Sequence, residues 1–464
     1  MGSSRRRLFA DVFDEDRDRA GTLRAGYGQL LGALAGVDLA ALTAAVAGAL
    51  EQRRVSFGAH PFVVDPVPRL ISVAEWDALS EGLAQRTRAL NRFLLDAYAE
   101  QRIVASGIVS RSTIVEAEGF EPDLIGCLPK HESPAAIVGF DVVRDQSGEF
   151  LVLEDNVRTP SGFAYALAAR KVLTETLPAA CPEPRPVDPL AYELLGQVMR
   201  AAAPSGSDNP SVVVLTDGVD NVAYYEHKQA ALRLDAPLLT PADLVLDGDR
   251  LSVRRPDGGL CTIDVVYRRT NEDRVRNQHG ELTEVAGLLL GPWLNGRIGL
   301  VNAFGNGLAD DKLVHSHVED FIRFYLHEEP LVRSVPTQAL DDPHELQRTL
   351  DRLCELVVKP RHGSGGIGVV IGPHAEPEDL ARLAQELERH PERYVSQPTV
   401  PLSCHPTVIE GHLEPRHVDL RAFAFSADDV ALMPGGLSRV AFEADTLVVN
   451  SSQNGGGKDT WVLG

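Results

Sequence analysis

Apolar and polar positions alternate with two different periods along this chain, and the changes of period mark its organisation. Residues 1–55 are rich in Ala and Leu with charged faces, which predicts helices. The stretch "PFVVDPVPRLIS" is extended and punctuated by proline. "AEWDALSEGLAQRTRALNRFLLDAYAEQRI" then returns to helical spacing, with Trp76, Leu79, Leu83, Leu90, Phe93 and Leu94 on or near one stripe. "AAIVGFDVV" and "EFLVLEDN" read as two strands, and "RDQSG" between them has hairpin turn chemistry.

After "RPVDPL" at 185–190, a linker by its prolines, the apolar run "SVVVLTDG", the helical "YYEHKQAALRL", "APLLTPADL" and the strand "TIDVVYRR" follow in turn. Strand, helix, strand in that order predicts a small parallel α/β unit. From residue 311 the order is helix ("KLVHSHVEDFIRFYL"), strand–glycine loop–strand ("LVVKPRHGSGGIGVVIGP") and helix ("EDLARLAQELERH"). "RYVSQPTV", "HVDLRAFAFS", "VALMPGGLSRVAF" and "TLVVNSSQ" then alternate as antiparallel strands do. The fold class is therefore mixed, α/β with α+β character.

Three places carry chemistry. Gly363, Gly365 and Gly368 satisfy G-x-G-x-x-G, yet an apolar strand and not a helix follows, so the loop closes a hairpin and is no dinucleotide fingerprint. Such a hairpin can fold over phosphates, with Lys359 as a fixed cation behind it, or it can be a solvated surface turn. The strand "EFLVLEDN" ends in oxygens: Glu154 and Asn156 share one face, and Asp141 on the neighbouring strand can join them. Two carboxylates and an amide oxygen suit magnesium and not zinc, although a polar strand end facing solvent would look the same. Asp419 and Arg421 also share a strand face, as an ion pair or as an arginine serving a phosphoryl group. Tyr225, Glu226 and His227 follow the "LTDGVDN" loop at the carboxyl end of a strand, where α/β units bind ligands, or simply begin a helix.

Composition narrows the picture. The 464 residues carry 45 basic and 66 acidic side chains, a net charge of −21, which argues against a broad nucleic-acid or anionic-membrane surface. Five scattered cysteines without a C-x-x-C pair support neither a disulfide framework nor a zinc site. "MGSSRRRLFADVFDEDRD" lacks the apolar core of a secretory signal, and "AGVDLAALTAAVAGAL" is too short to span a bilayer. A cytoplasmic location is expected.

Together these segments resemble the ATP-grasp family. Asp311-Lys312 looks like the pair opening its nucleotide-binding module, and Lys359 with Gly363, Ser364, Gly365 and Gly366 looks like the phosphate-covering loop. Val395 and Gln397 in "RYVSQPTV" look like the hinge beside adenine. Asp419 and Arg421 look like the D-x-R strand, and Asp141, Glu154 and Asn156 like the magnesium ligands. The metal segment ordinarily closes the module and here precedes it, so the order is circularly permuted. "LEDNVRTPSG", "IDVVYRR", "NAFGNGLADDK", "PGGLSRVAF" and "NSSQNGGGKDTWVL" are similar to the permuted ATP-grasp proteins related to glutathionylspermidine synthase-like ligases.

That resemblance implies a helical N-terminal region (1–115), a permuted segment with the magnesium ligands (116–185), a parallel α/β substrate-side (pre-ATP-grasp) domain (186–310) and nucleotide-binding subdomains (311–464). It implies an ATP- and Mg2+-dependent carboxylate–amine ligase working through an acyl phosphate on small substrates such as amino acids or short peptides. Arg421, Arg439 and Lys359 would be catalytic, and Lys312 would bind nucleotide. Arg158, Ser161, Arg268, Arg269 and Lys458 are substrate candidates beside the Tyr225–His227 group. A phosphotransferase and a non-catalytic nucleotide binder are the alternatives, and self-association is left open.

Overall fold

A computed structural model describes residues 12–129, 133–204, 207, 209–255, 257–363, 366–443 and 455–464. Ser364 and Gly365 lie outside these residues, as does the expected strand "TLVVNSSQ".

The longest helix, Val73–Ala97, starts where Ser72 and Glu75 cap each other's backbone N–H groups, a reciprocal box that satisfies two otherwise orphaned donors. Its apolar stripe is fully used: Trp76, Leu79, Leu83, Leu90, Phe93 and Leu94 are all buried. Each such side chain contributes about 1.5–3 kcal/mol relative to exposure. The stripe lies against Phe140, Val142, Leu420 and Ala422 of the central sheet.

That sheet has nine strands among the described residues, and its main path runs Arg333–Ser334, Phe150–Asn156, Ile137–Arg144, His412–Ser426, Gly436–Ala441, Gly455–Leu463 and Arg69–Ser72. The two outer pairings are parallel and the inner ones antiparallel. The expected hairpin between the strands 137–144 and 150–156 is present. Gly455–Leu463 extends the sheet through three glycines, which gave no strand signal in the sequence.

The α/β unit is a four-stranded parallel sheet ordered Gly299–Val301, Val265–Arg269, Val212–Thr216 and Leu238–Leu239. The glycine loop closes an antiparallel hairpin between Leu356–Pro360 and Val370–Ile371. Tyr394–Pro398 departs from expectation: it pairs with Leu356–Pro360 in this smaller sheet and not with the central strands. Strands from 69–72, 137–156 and 404–463 share one sheet, so the expected segments 116–185 and 311–464 are interleaved in space. No single helix among the described residues is long and apolar enough to cross a membrane.

Candidate functional site

Register builds the site. Asp141 stands opposite Glu154 on one side and opposite Arg421 on the other. Asp419, two residues before Arg421, stands opposite Arg439. Directly paired residues and residues two apart project from one face of a sheet. Five charged side chains and Asn156 therefore share that face, while Phe140, Val142 and Leu420 point to the helix on the other.

Asp141 accepts from Arg421 through both oxygens, at 2.7 and 2.8 Å, and Arg439 Nη2 lies 2.9 Å from its Oδ2. Burial alone would raise its pKa, but the two guanidinium groups outweigh that and hold it well below the usual carboxylate range. Arg439 also pairs with Asp419. Gly436 permits this close approach, since a Cβ there would fall 2.3 Å from the Arg421 carbonyl oxygen. Gly162, at φ +135°, does the same for the loop that crosses the site, whose Ser161 carbonyl accepts from Arg421 at 3.4 Å.

Two lysines complete the cluster. Lys312 opens a helical turn (Lys312–His315) capped by Asp311. Its Nζ lies 3.1 Å from Glu154 Oε1 and donates to the carbonyl of Gly363 at 3.1 Å, so it joins the strand end to the glycine hairpin. Burial pushes Lys359 down to about 8; Glu154 and Asp141 act against that shift and Lys312 adds to it. The nearby cation disfavours a second charge.

The donor set fits magnesium. Glu154 is half-exposed, with Lys312 on its Oε1, and Asn156 stands two residues on along the same face, so a carboxylate and a carboxamide are presented side by side. Asp141, by contrast, is already neutralised by arginine. Magnesium needs only one or two protein carboxylates, with water and phosphate completing its shell.

Sequence reasoning missed the residue that aims this pair. Asp155 points away from the site and is fully buried, held by Arg86 at 2.6 and 2.8 Å and by His315 Nδ1 at 2.7 Å. Only the strand's odd–even alternation hinted that Asp155 belonged to the other face.

The substrate candidates divide. Arg269 donates to Pro160 O at 2.9 Å, Ser161 Oγ at 2.5 Å and Glu226 Oε1 at 3.0 Å. Glu226 in turn accepts the N–H groups of Gly162 and Ala164, the start of helix Phe163–Thr176. Ser161, Glu226 and Arg269 thus form one network that fixes the loop beside Arg421. Tyr225 packs on Tyr165 at 5.4 Å, and His227, pushed down to about 2 by burial, meets Thr216 Oγ1 at 2.8 Å. Arg158 is engaged by Asp310 at 2.5 Å and Asp273 at 3.4 Å.

Two candidates are not brought to the site. Arg268 projects to the other side of its strand, onto the carbonyls of Asn302 and Ala303 at 3.2 Å. Lys458 pairs in register with Ser438, on the face opposite Arg421, and is buried against Asp65 and the Val67 carbonyl. A buried pair of this kind is structural, and it leaves no cation for a substrate. Among the nucleotide candidates, Val395 is buried opposite Lys359, and Gln397 donates to Thr337 Oγ1 at 2.8 Å. Gly366 adjoins the undescribed loop residues.

Known proteins share the fold and much of the sequence. The fold is shared with an apo glutathione synthetase-like effector from Globodera pallida, at a TM-score of 0.59 and 10% identity over 91% of this chain and 96% of that one. An uncharacterized protein of Mycobacterium tuberculosis is 40% identical over 471 residues, covering 98% of this chain and 85% of its own length. One from Synechocystis is 42% identical over 408 residues, covering 87% and 84%. A Frankia casuarinae protein with a provisional glutamate–cysteine ligase name is 41% identical over 416 residues, covering 87% of this chain but 47% of that protein. Residues 68–441 match the family described as circularly permuted ATP-grasp type 2, and the chain belongs to that family.

Proposed function

We propose that the protein is an ATP-dependent carboxylate–amine ligase that works through an acyl phosphate and releases ADP and phosphate. The observation that carries this reading is that Lys312 and Lys359 meet the sheet face that bears Glu154, Asn156, Arg421 and Arg439. Few sites need so many cations beside a half-exposed carboxylate and a carboxamide, and transfer of a phosphoryl group is one that does.

A magnesium ion held by Glu154 and Asn156, beside Asp141, would neutralise phosphate charge. Lys312 and Lys359 bind the nucleotide's phosphates under the glycine hairpin, with Val395 and Gln397 on the adjoining strand. A substrate carboxylate then attacks the γ-phosphorus, the bond to the β-phosphate oxygen breaks, and ADP leaves. Arg421 and Arg439 hold the oxygens of the transferred group; their positions are fixed by Asp141 and Asp419, so little reorganisation is needed during reaction. An amine displaces phosphate from the acyl carbon and loses its proton, leaving an amide. The loop at Ser161, fixed by Arg269 and Glu226, borders the place where the acyl group would lie.

Amino acids or short peptides are the proposed substrate class. The Frankia relative's name supports the class and not the particular pair, because this chain matches less than half of that protein. The test is incubation with ATP, magnesium, hydroxylamine and pooled amino acids, peptides and small acids, read by mass spectrometry. A hydroxamate formed together with ADP is the expected result. ADP with a phosphorylated product would make the protein a phosphotransferase, and binding of ATP without either product would favour a nucleotide binder.

A further inference from the structure

The helical turn Lys312–His315 touches the metal strand twice, on opposite faces. The outer neighbour of that strand, Arg333–Ser334, pairs only with Leu151 and Val152, so among the described residues no strand covers the edge beyond. The turn occupies that edge. Lys312 reaches Glu154 on the site face, and His315, three residues on, reaches Asp155 on the buried face. Arg86 completes the clamp, bound to both Asp155 oxygens and 3.1 Å from His315 Nδ1, with Ser334 Oγ as a further partner at 2.9 Å.

The same turn is fastened to the glycine hairpin. Asp311, its cap, lies 3.3 Å from Arg361; the Lys312 N–H donates to the Arg361 carbonyl at 3.3 Å, and Lys312 Nζ to that of Gly363. His315 is buried, and its Nε2 has no partner among the described residues. The imidazole is thus tied to the strand through Nδ1 and Asp155 Oδ2 at 2.7 Å.

Resting on the ligase reading above, we propose that His315 is a positioning residue that couples the hairpin to the metal ligands, so that nucleotide and metal tighten each other's binding through the turn 311–315. A displacement of the hairpin moves the turn, the turn moves Asp155, and Asp155 lies between Glu154 and Asn156. Such coupling is reciprocal by thermodynamic necessity.

The experiment is calorimetric titration of a non-hydrolysable ATP analogue into the full chain, with and without saturating magnesium. In the wild type, magnesium should tighten the analogue at least about fivefold. His315→Leu should bind the analogue without metal as the wild type does, yet gain less than about twofold from magnesium. His315→Asn, which keeps a donor near the Nδ1 position, should recover most of the gain. Undiminished magnesium gain in a folded His315→Leu protein overturns the proposal and leaves the ligase reading intact; a wild type that binds no analogue overturns that reading and the coupling with it. Hydrogen exchange of the wild type with bound analogue serves if the leucine variant does not fold. Magnesium should slow exchange at Leu313, Val314 and His315 as well as at the strand end, and protection confined to the strand would overturn the coupling.

Discussion

Asp419 and Arg421 sit two residues apart on one strand and do not pair with each other: Asp419 takes Arg439, and Arg421 takes Asp141. The D-x-R pattern thus produces an alternating ladder across three strands, which neutralises two buried carboxylates and presents the partly buried guanidinium groups from a rigid base. Buried charge pairs are held only when geometry and hydrogen bonding are this complete.

Glu154→Gln should abolish ATP turnover, by at least about a hundredfold, while leaving the fold in place. Glu154 is half-exposed and its main partner is Lys312, so the stability change should stay within about 1 kcal/mol. Turnover assays beside thermal unfolding check both halves.

Lys359 supplies a pH signature. It is charged below about 8, so the affinity of the metal-free protein for an ATP analogue should fall as pH rises through that value, and Lys359→Arg should flatten the fall. Folding carries the opposite sign. The unfolded lysine titrates near about 10.4, so between the two values the unfolded chain binds more protons and stability rises with pH. Lys359→Met should lack that rise in urea titrations between about pH 8 and 10.

Removing Lys458 should cost stability and not substrate affinity. Lys458→Ala leaves Asp65 buried without its cation, a loss of about 3–5 kcal/mol, out of a total of about 5–15 kcal/mol for a domain. Normal KM values in whatever fraction stays folded would accompany a large fall in the unfolding midpoint. A raised KM with unchanged midpoint would return Lys458 to the substrate.

Asp155 should contribute to acid unfolding. Burial would raise its pKa, but Arg86 and His315 hold it far below the unfolded value of about 3.9. Its stabilisation is therefore present above that value and is lost as pH falls through it towards the folded pKa. Asp155→Asn should be less stable at neutral pH and lose less on acidification between about pH 5 and pH 3, as urea midpoints would show.

Much of the site was legible because its residues announce themselves locally. Glu154 and Asn156 end an apolar run, Lys359 interrupts another, and the loop glycines follow at once. The parallel α/β unit and both hairpins were readable from period and turn chemistry. What stayed hidden depends on partners far away in sequence. Nothing near Asp155 indicates Arg86 or His315, and nothing near Lys458 indicates Asp65. Likewise Glu226 reads as a substrate candidate or a helix start, whereas its carboxylate takes Arg269 and caps a different helix at Gly162 and Ala164. Tyr394–Pro398 has the alternation of a strand, which fixes its type and not the sheet it joins.

The pairing of Arg69–Ser72 with Thr460–Leu463 has a consequence for how the protein is made. An early strand and a late one must meet to finish the sheet, and Asp141 acquires Arg421 only after most of the chain exists. On the ribosome, Phe150–Asn156 and its hairpin partner emerge long before the strands that neutralise and cover them. A chain stopped before residue 421 therefore holds neither the complete sheet nor an arginine for Asp141, so the charged face cannot assemble on a half-made molecule.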